Sequence, residues 1–197
     1  MLLDLINETN DDKEKQEYYE LLKTSNEKLA ETLYFLNETI NIQNNHNALH
    51  TEVNIKNVVR KIIENNQVLI REKIVILVNI KDDLLITTIP SYFESIMFNL
   101  INNAVKYRSN SRYSEVIISV EKIENTTTIT VKDNGIGINL EVNKDKLFGM
   151  FKTFHGNDDA VGLGLYMTKN HLEHLNETID VESEINVGST FKVIFHE

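Results

Sequence analysis

The sequence predicts an α+β fold: a two-layer α/β sandwich of three helices on a mixed sheet, preceded by a long helix. Three observations predict it. Residues 12–44 hold no glycine or proline, and Leu22, Leu29, Leu33, Leu36 and Ile40 recur there at near-heptad spacing. From Val53 onward, strand-like runs of Val, Ile and Thr alternate with helical stretches. Glycines at 135, 137, 162 and 164 then punctuate the later chain. A boundary near residue 50 follows, with a helical segment over 1–50 and an α/β domain over 51–197.

In chain order, Leu2, Leu3, Leu5 and Ile6 read as the end of a first helix. Asn7-Glu8-Thr9-Asn10-Asp11-Asp12 reads as a turn and N-cap for a helix from about Asp12 to Asn44. The apolar stripe of that helix needs a partner helix, because alone it leaves much apolar surface in water. Ile55 to about Leu69 predicts the first helix of the sandwich, with Val58, Val59, Ile62 and Ile63 facing inward. Ile74 to Val78 predicts a buried strand, and Leu84-Leu85-Ile86-Thr87 a second. Pro90 then opens a helix, since its missing N–H is harmless in a first turn. Val116–Val120 and Thr128–Val131 form the next strand pair, and Asn134 to about Val161 is a long connection expected to move. Gly162-Leu163-Gly164-Leu165 opens a helix through Leu175. Ile179–Ser183 and Thr190–Ile194 are the closing strands, with Gly188 in the turn between them.

Charge and composition exclude several functions. Residues 1–52 carry 11 acidic and 4 basic side chains, and the other 145 carry 19 and 16, so neither part has a basic patch. Nucleic-acid binding, which needs one, is excluded. The chain has no cysteine, hence no disulfide and no thiolate ligand or nucleophile. No apolar run approaches the roughly 20 residues that span a bilayer, and Met1 does not begin a signal-peptide pattern. These features lead to the expectation of a cytoplasmic chain without membrane contact of its own, whose parent can still be membrane-anchored.

The chemistry concentrates on the helix after Pro90. Asn99 and Asn103, four residues apart, lie on one face, and Lys106 and Tyr107 follow within a turn. Two carboxamides, an ammonium and a phenol on one helix can hold a metal-bound phosphate chain and a base. Asp133-Asn134-Gly135-Ile136-Gly137-Ile138 follows a strand, and Gly162-Leu163-Gly164-Leu165 precedes a helix.

This order resembles the catalytic ATP-binding domain of sensor histidine kinases, with its asparagine box, two glycine boxes and phenylalanine box, over about residues 51–197. The resemblance implies the Bergerat ATP-binding fold, shared with type II topoisomerases, mismatch-repair ATPases and a heat-shock chaperone, and it implies ATP and Mg²⁺. Asn103 matches the family's metal-binding asparagine, its amide oxygen being a hard ligand, and Asn99 helps place metal and phosphates. Lys106 contacts phosphate as a flexible point charge, and Tyr107 lies against adenine. Asp133 is the adenine reader: a carboxylate only accepts hydrogen bonds, so it takes one from an exocyclic amine and none from a keto group. Gly135, Ile136 and Gly137 bring backbone to the base. Gly162 and Gly164 free the next helix's N-terminal N–H groups for phosphates, with Leu163 and Leu165 lining the pocket. Phe151, in the phenylalanine-box stretch Leu147 to His155, and Thr190 complete the implied binding set.

The chain departs from the family at Ala160 and at Asn176-Glu177, where glycines are usual. His155, among polar residues, reads as a surface side chain. In the related ATPases the position of Asn99 is a glutamate that activates water, and an amide is a poor general base. The expected activity is therefore transfer of the ATP γ-phosphoryl group to a histidine on a dimerisation helix, for relay to a response-regulator receiver aspartate, with Asn99, Asn103 and Lys106 as the catalytic set. The alternatives are a non-enzymatic ATP-binding regulatory module and, further off, a hydrolase. Residues 1–50 resemble only the later part of the phosphoacceptor hairpin, which implies a possible homodimer. No histidine precedes His46, and neither His46 nor His50 lies in an acceptor motif. The sequence thus predicts ATP binding without self-phosphorylation. A radiolabelled protein band that survives replacement of both His46 and His50 contradicts it.

Overall fold

The structure, a computed structural model, describes residues 5–6, 9, 11–44, 49–65, 74–152 and 162–196. Leu5 and Ile6 are helical; the rest of the first expected helix end lies outside the described residues. Helix α1 runs Asp12–Asn44, and Asp11 Oδ1 caps it by accepting the Lys13 N–H at 2.8 Å. Leu29, Leu33, Leu36 and Ile40 on this helix are all exposed.

Strand β1, Thr51–Asn54, pairs antiparallel with β3, Leu85–Thr88, with Val53 opposite Ile86. The sequence reading had no strand here. Asn54 ends β1 and caps helix α2, Ile55–Asn65, accepting the Asn57 N–H at 2.9 Å. The expected extension of α2 to Leu69 lies outside the described residues. Ile55, Val59 and Ile62 are buried, with Val58 and Ile63 packed at the margin of the core.

The main sheet has five strands in the order β2-β4-β5-β7-β6. They are β2, Ile74–Asn79; β4, Ser114–Ile123; β5, Thr126–Asp133; β6, Thr178–Glu184; and β7, Gly188–His196. The sheet is mixed: β2 runs parallel to β4 and every other pairing is antiparallel. Strand β2, expected to be buried, is an edge strand whose Val75 and Leu77 face water. A strand with helices on one face only buries every second side chain. Gly188 opens β7, and residues 185–187 make the turn in which the sequence reading had put it.

Helix α2, helix α3, Pro90–Lys106, and helix α5, Gly164–Leu175, cover one face of this sheet. Phe93 and Met97 of α3 and Leu172 of α5 meet Ile118, Ile129 and Val193 in a single core. Phe93 stacks edge-on against Phe195 with ring centroids 5.8 Å apart. His171 is buried between α3 and α5, 4.5 Å from the Tyr92 ring and with Nε2 3.1 Å from Ser95 Oγ. Helix α5 ends on Asn176 in the left-handed region (φ 59°), and the Glu177 N–H returns to the Leu172 carbonyl at 2.8 Å. This is a Schellman stop in which asparagine takes the usual place of glycine. The connection after Asn134 holds a short helix α4, Leu140–Asn143, and a 3₁₀ turn, Lys144–Lys146. Ala160 and His155 lie outside the described residues.

Leu172→Ala should therefore destabilise the fold by about 2–5 kcal/mol, from lost transfer energy plus a cavity. Val142→Ser, exposed on α4, should stay within about 0.5 kcal/mol. Denaturant unfolding of both variants checks the contrast.

Candidate functional site

A cleft opens between α3, the end of β5 and the start of α5. Asn99, Asn103, Lys106, Tyr107, Asp133, Gly137, Gly162, Gly164 and Leu165 line it. Helical spacing puts Asn99 and Asn103 on one face of α3, and Lys106 and Tyr107 carry that face on past its last turn. Asn102, Ala104, Ile138, Lys152, Ser189 and Phe191 also line the cleft, and the sequence reading counted none of them among the site residues.

Asn99 is 8% exposed, and its Nδ2 has no hydrogen-bond partner among the described residues. A buried amide without a partner is unfavourable by about 1–3 kcal/mol. Gly164 faces Asn99: a Cβ there would stand 3.4 Å from its Oδ1, at ordinary contact distance. The N-cap residue of α5, Leu163, makes no side-chain cap bond, so the first-turn N–H groups can serve an anion.

Asp133 ends β5. Its Oδ1 accepts the Gly135 N–H at 2.7 Å and the Ser189 N–H at 3.3 Å. Both bonds fall on one oxygen, which leaves Oδ2 to accept from a ligand. Burial pushes the carboxyl above its ordinary value, against the opposing pull of those two N–H groups and the Arg112 guanidinium.

The loop after Asp133 is tied down on all sides. The Asn134 side chain accepts from Glu115 N–H at 2.9 Å and donates to the Tyr113 carbonyl at 3.0 Å. Ile136 N–H donates to the Tyr107 carbonyl at 3.0 Å. Arg112, also unnamed by the sequence reading, donates to the carbonyls of Asn134 at 2.8 Å and Gly135 at 2.7 Å. Gly137 has φ +68°, and a Cβ on it would fall on the Glu184 carbonyl oxygen. Only glycine suits both the dihedral and the approach.

Five expected site residues do not line the cleft. Gly135 is buried against the Tyr107 carbonyl, and Ile136 reaches the site through backbone bonds alone. Leu163 is 1% exposed and belongs to the core, while Phe151 is 61% exposed. Thr190 stands on the other side of the sheet, in register with Lys132 and Glu182. Strand alternation gives its cleft position to Ser189 and Phe191. Among the described residues there is no cluster of three or more His, Asp or Glu that could hold a metal, and no helix long and apolar enough to cross a membrane.

Residues 88–197 match the family described as histidine kinase-, DNA gyrase B-, and HSP90-like ATPase. The chain is 29% identical over 197 residues to the heme sensor protein HssS of Staphylococcus saprophyticus, covering 98% of this chain and 42% of HssS. The chain thus spans less than half the length of that relative. Among solved structures, the Acinetobacter baumannii histidine kinase AdeS superposes with a TM-score of 0.72 at 20% identity, over 99% of this chain and 90% of that one. Histidine kinase ThkA, solved in complex with response regulator protein TrrA, superposes with a TM-score of 0.74 at 20% identity, over 98% of this chain and 55% of that one. At such identities the two structures establish the fold.

Two outcomes follow from the site's geometry. Gly137→Ala should destabilise the protein by at least about 1–3 kcal/mol from its dihedral alone, measured by denaturant unfolding. The folded pKa of Asp133 is raised, so its contribution to stability is full below the unfolded value of 3.8 and is lost as pH rises through the folded value. The nucleotide-free Asp133→Asn variant should therefore melt above the native chain at pH 7, with the gap narrowing as pH falls. Melting curves across pH check the sign.

Proposed function

The chain belongs to the histidine kinase-, DNA gyrase B- and HSP90-like ATPase family, and we propose that it is the catalytic ATP-binding core of a two-component sensor kinase. In this reading residues 51–197 form the catalytic domain and residues 1–50 part of a dimerisation hairpin. The cleft binds ATP with Mg²⁺, and the γ-phosphoryl group passes to a histidine on an acceptor helix. A response-regulator receiver aspartate then takes it. One observation carries the reading: the Asn99–Asn103–Lys106 face of α3 shares a single cleft with Asp133 and with the start of α5.

Asp133 Oδ2 accepts from the exocyclic amine of adenine, and the Gly137 backbone and Tyr107 bound the base. The uncapped start of α5, with Lys106 and Lys152, faces the phosphates. Asn103 is suited to hold Mg²⁺ through its amide oxygen, and the partnerless Asn99 Nδ2 is suited to donate to a phosphate oxygen. The metal supplies neutralisation of charge on the triphosphate. Phosphoryl transfer is mainly positioning and electrostatic stabilisation, and this set of groups provides both. Asn99 cannot take a proton from water, which disfavours hydrolysis.

The test is transfer from γ-labelled ATP to a separate polypeptide that carries a kinase acceptor helix. Label on its histidine is expected, and Asn103→Ala should lower the rate at least about tenfold. ATP binding without transfer would leave a regulatory module. Steady phosphate release without acceptor would make the chain a hydrolase.

A further inference from the structure

The hydroxyl groups behind Asp133 form a hydrogen-bonded chain. Ser183 Oγ donates to the Gly188 carbonyl at 2.9 Å, and a carbonyl can only accept. The same oxygen accepts the Ile138 N–H at 2.8 Å. It also lies 2.9 Å from Ser189 Oγ, directly across the β6–β7 pairing. A serine hydroxyl has one proton and two lone pairs. By distance either serine could donate in the Ser183–Ser189 contact; with the single proton of Ser183 on the Gly188 carbonyl, that contact uses the proton of Ser189. All three hydrogen-bonding positions of Ser183 are then filled.

Ser189 is 7% exposed and lines the cleft beside Asp133. With its proton held by Ser183 and its N–H held by Asp133 Oδ1, it has only lone pairs to offer a ligand. We infer that Ser183 is a positioning residue that fixes the polarity of the base pocket, so that Ser189 and Asp133 together present acceptors alone and the site selects 6-amino over 6-oxo purine nucleotides. The inference rests on the proposed nucleotide site and deepens it. Asp133 by itself rejects a keto oxygen on one side of the pocket. A Ser189 free to turn its proton toward the cleft would still donate to that keto oxygen, and Ser183 removes the option.

The experiment titrates the native chain, Ser183→Ala, Ser183→Thr and Ser189→Ala with ATP and with ITP, each with Mg²⁺, by calorimetry. The readout is the ratio of the ITP to the ATP dissociation constant. Ser183→Ala should lower this ratio about tenfold, the scale of one buried hydrogen-bond mismatch. Ser183→Thr keeps the hydroxyl and should keep the native ratio. A merely structural role would weaken ATP and ITP together and leave the ratio unchanged in Ser183→Ala, which overturns the inference. Should Ser183→Ala fail to fold, Ser183→Thr and Ser189→Ala decide it: a native ratio in the first and a lowered one in the second support the inference, and any other pattern overturns it. Failure of the native chain to bind ATP would remove the nucleotide reading itself. Binding of ATP with no discrimination against ITP in the native chain would overturn this inference alone.

Discussion

The site depends on a set of backbone contacts too close for side chains. Where β5 ends, the chain runs against the Tyr107 carbonyl, and Gly135 makes room. Two residues later it runs against the Glu184 carbonyl, and Gly137 makes room. These approaches fasten the end of β5 to α3 on one side and to the β6–β7 turn on the other. Arg112 and the Asn134 side chain close the remaining gaps with hydrogen bonds to backbone groups. The outcome is a half-buried carboxylate held by its neighbours' amides. Burial of this kind is unfavourable to the ionised form, so the loop stores readiness for a hydrogen-bond donor at some loss of stability.

The other half of the cleft follows the same logic with different groups. The α3–α5 packing buries Asn99 against Gly164 and leaves its amide nitrogen without a partner among the described residues. The N-cap residue Leu163 gives the start of α5 no side-chain cap. Each is a local defect if the cleft is only a cleft. Both become assets when a triphosphate lies there, since each supplies hydrogen-bond donors aimed at anionic oxygen. Such local violations, clustered in one place on an otherwise well-packed fold, are what a functional site looks like in energetic terms.

Much of this was legible in the sequence, because α1, α3 and α5 follow from periodicity, Pro90 and the glycine positions. The asparagine face of α3 needed only helical geometry. What escaped depended on pairing between distant strands. β1 has one buried apolar residue in four, too weak a pattern to read alone. The sequence places Thr190 in the binding set because nothing local fixes which face of β7 meets the helices; the register with β5 and β6 does. β2 reads as a buried run, yet its neighbour on one side is water. Arg112 lies far in sequence from Val187, whose carbonyl it reaches at 3.4 Å, and such a bridge has no sequence signature.

The most direct measurement is a calorimetric titration of the native chain and of Asp133→Asn with ATP in the presence of Mg²⁺. The account predicts saturable binding to the native chain and at least about tenfold weaker binding to the variant, since one hydrogen bond to a charged group is worth roughly 1.5–3 kcal/mol. An equal affinity in the two proteins, or no binding by the native chain, would contradict the assignment of this cleft to adenine nucleotide.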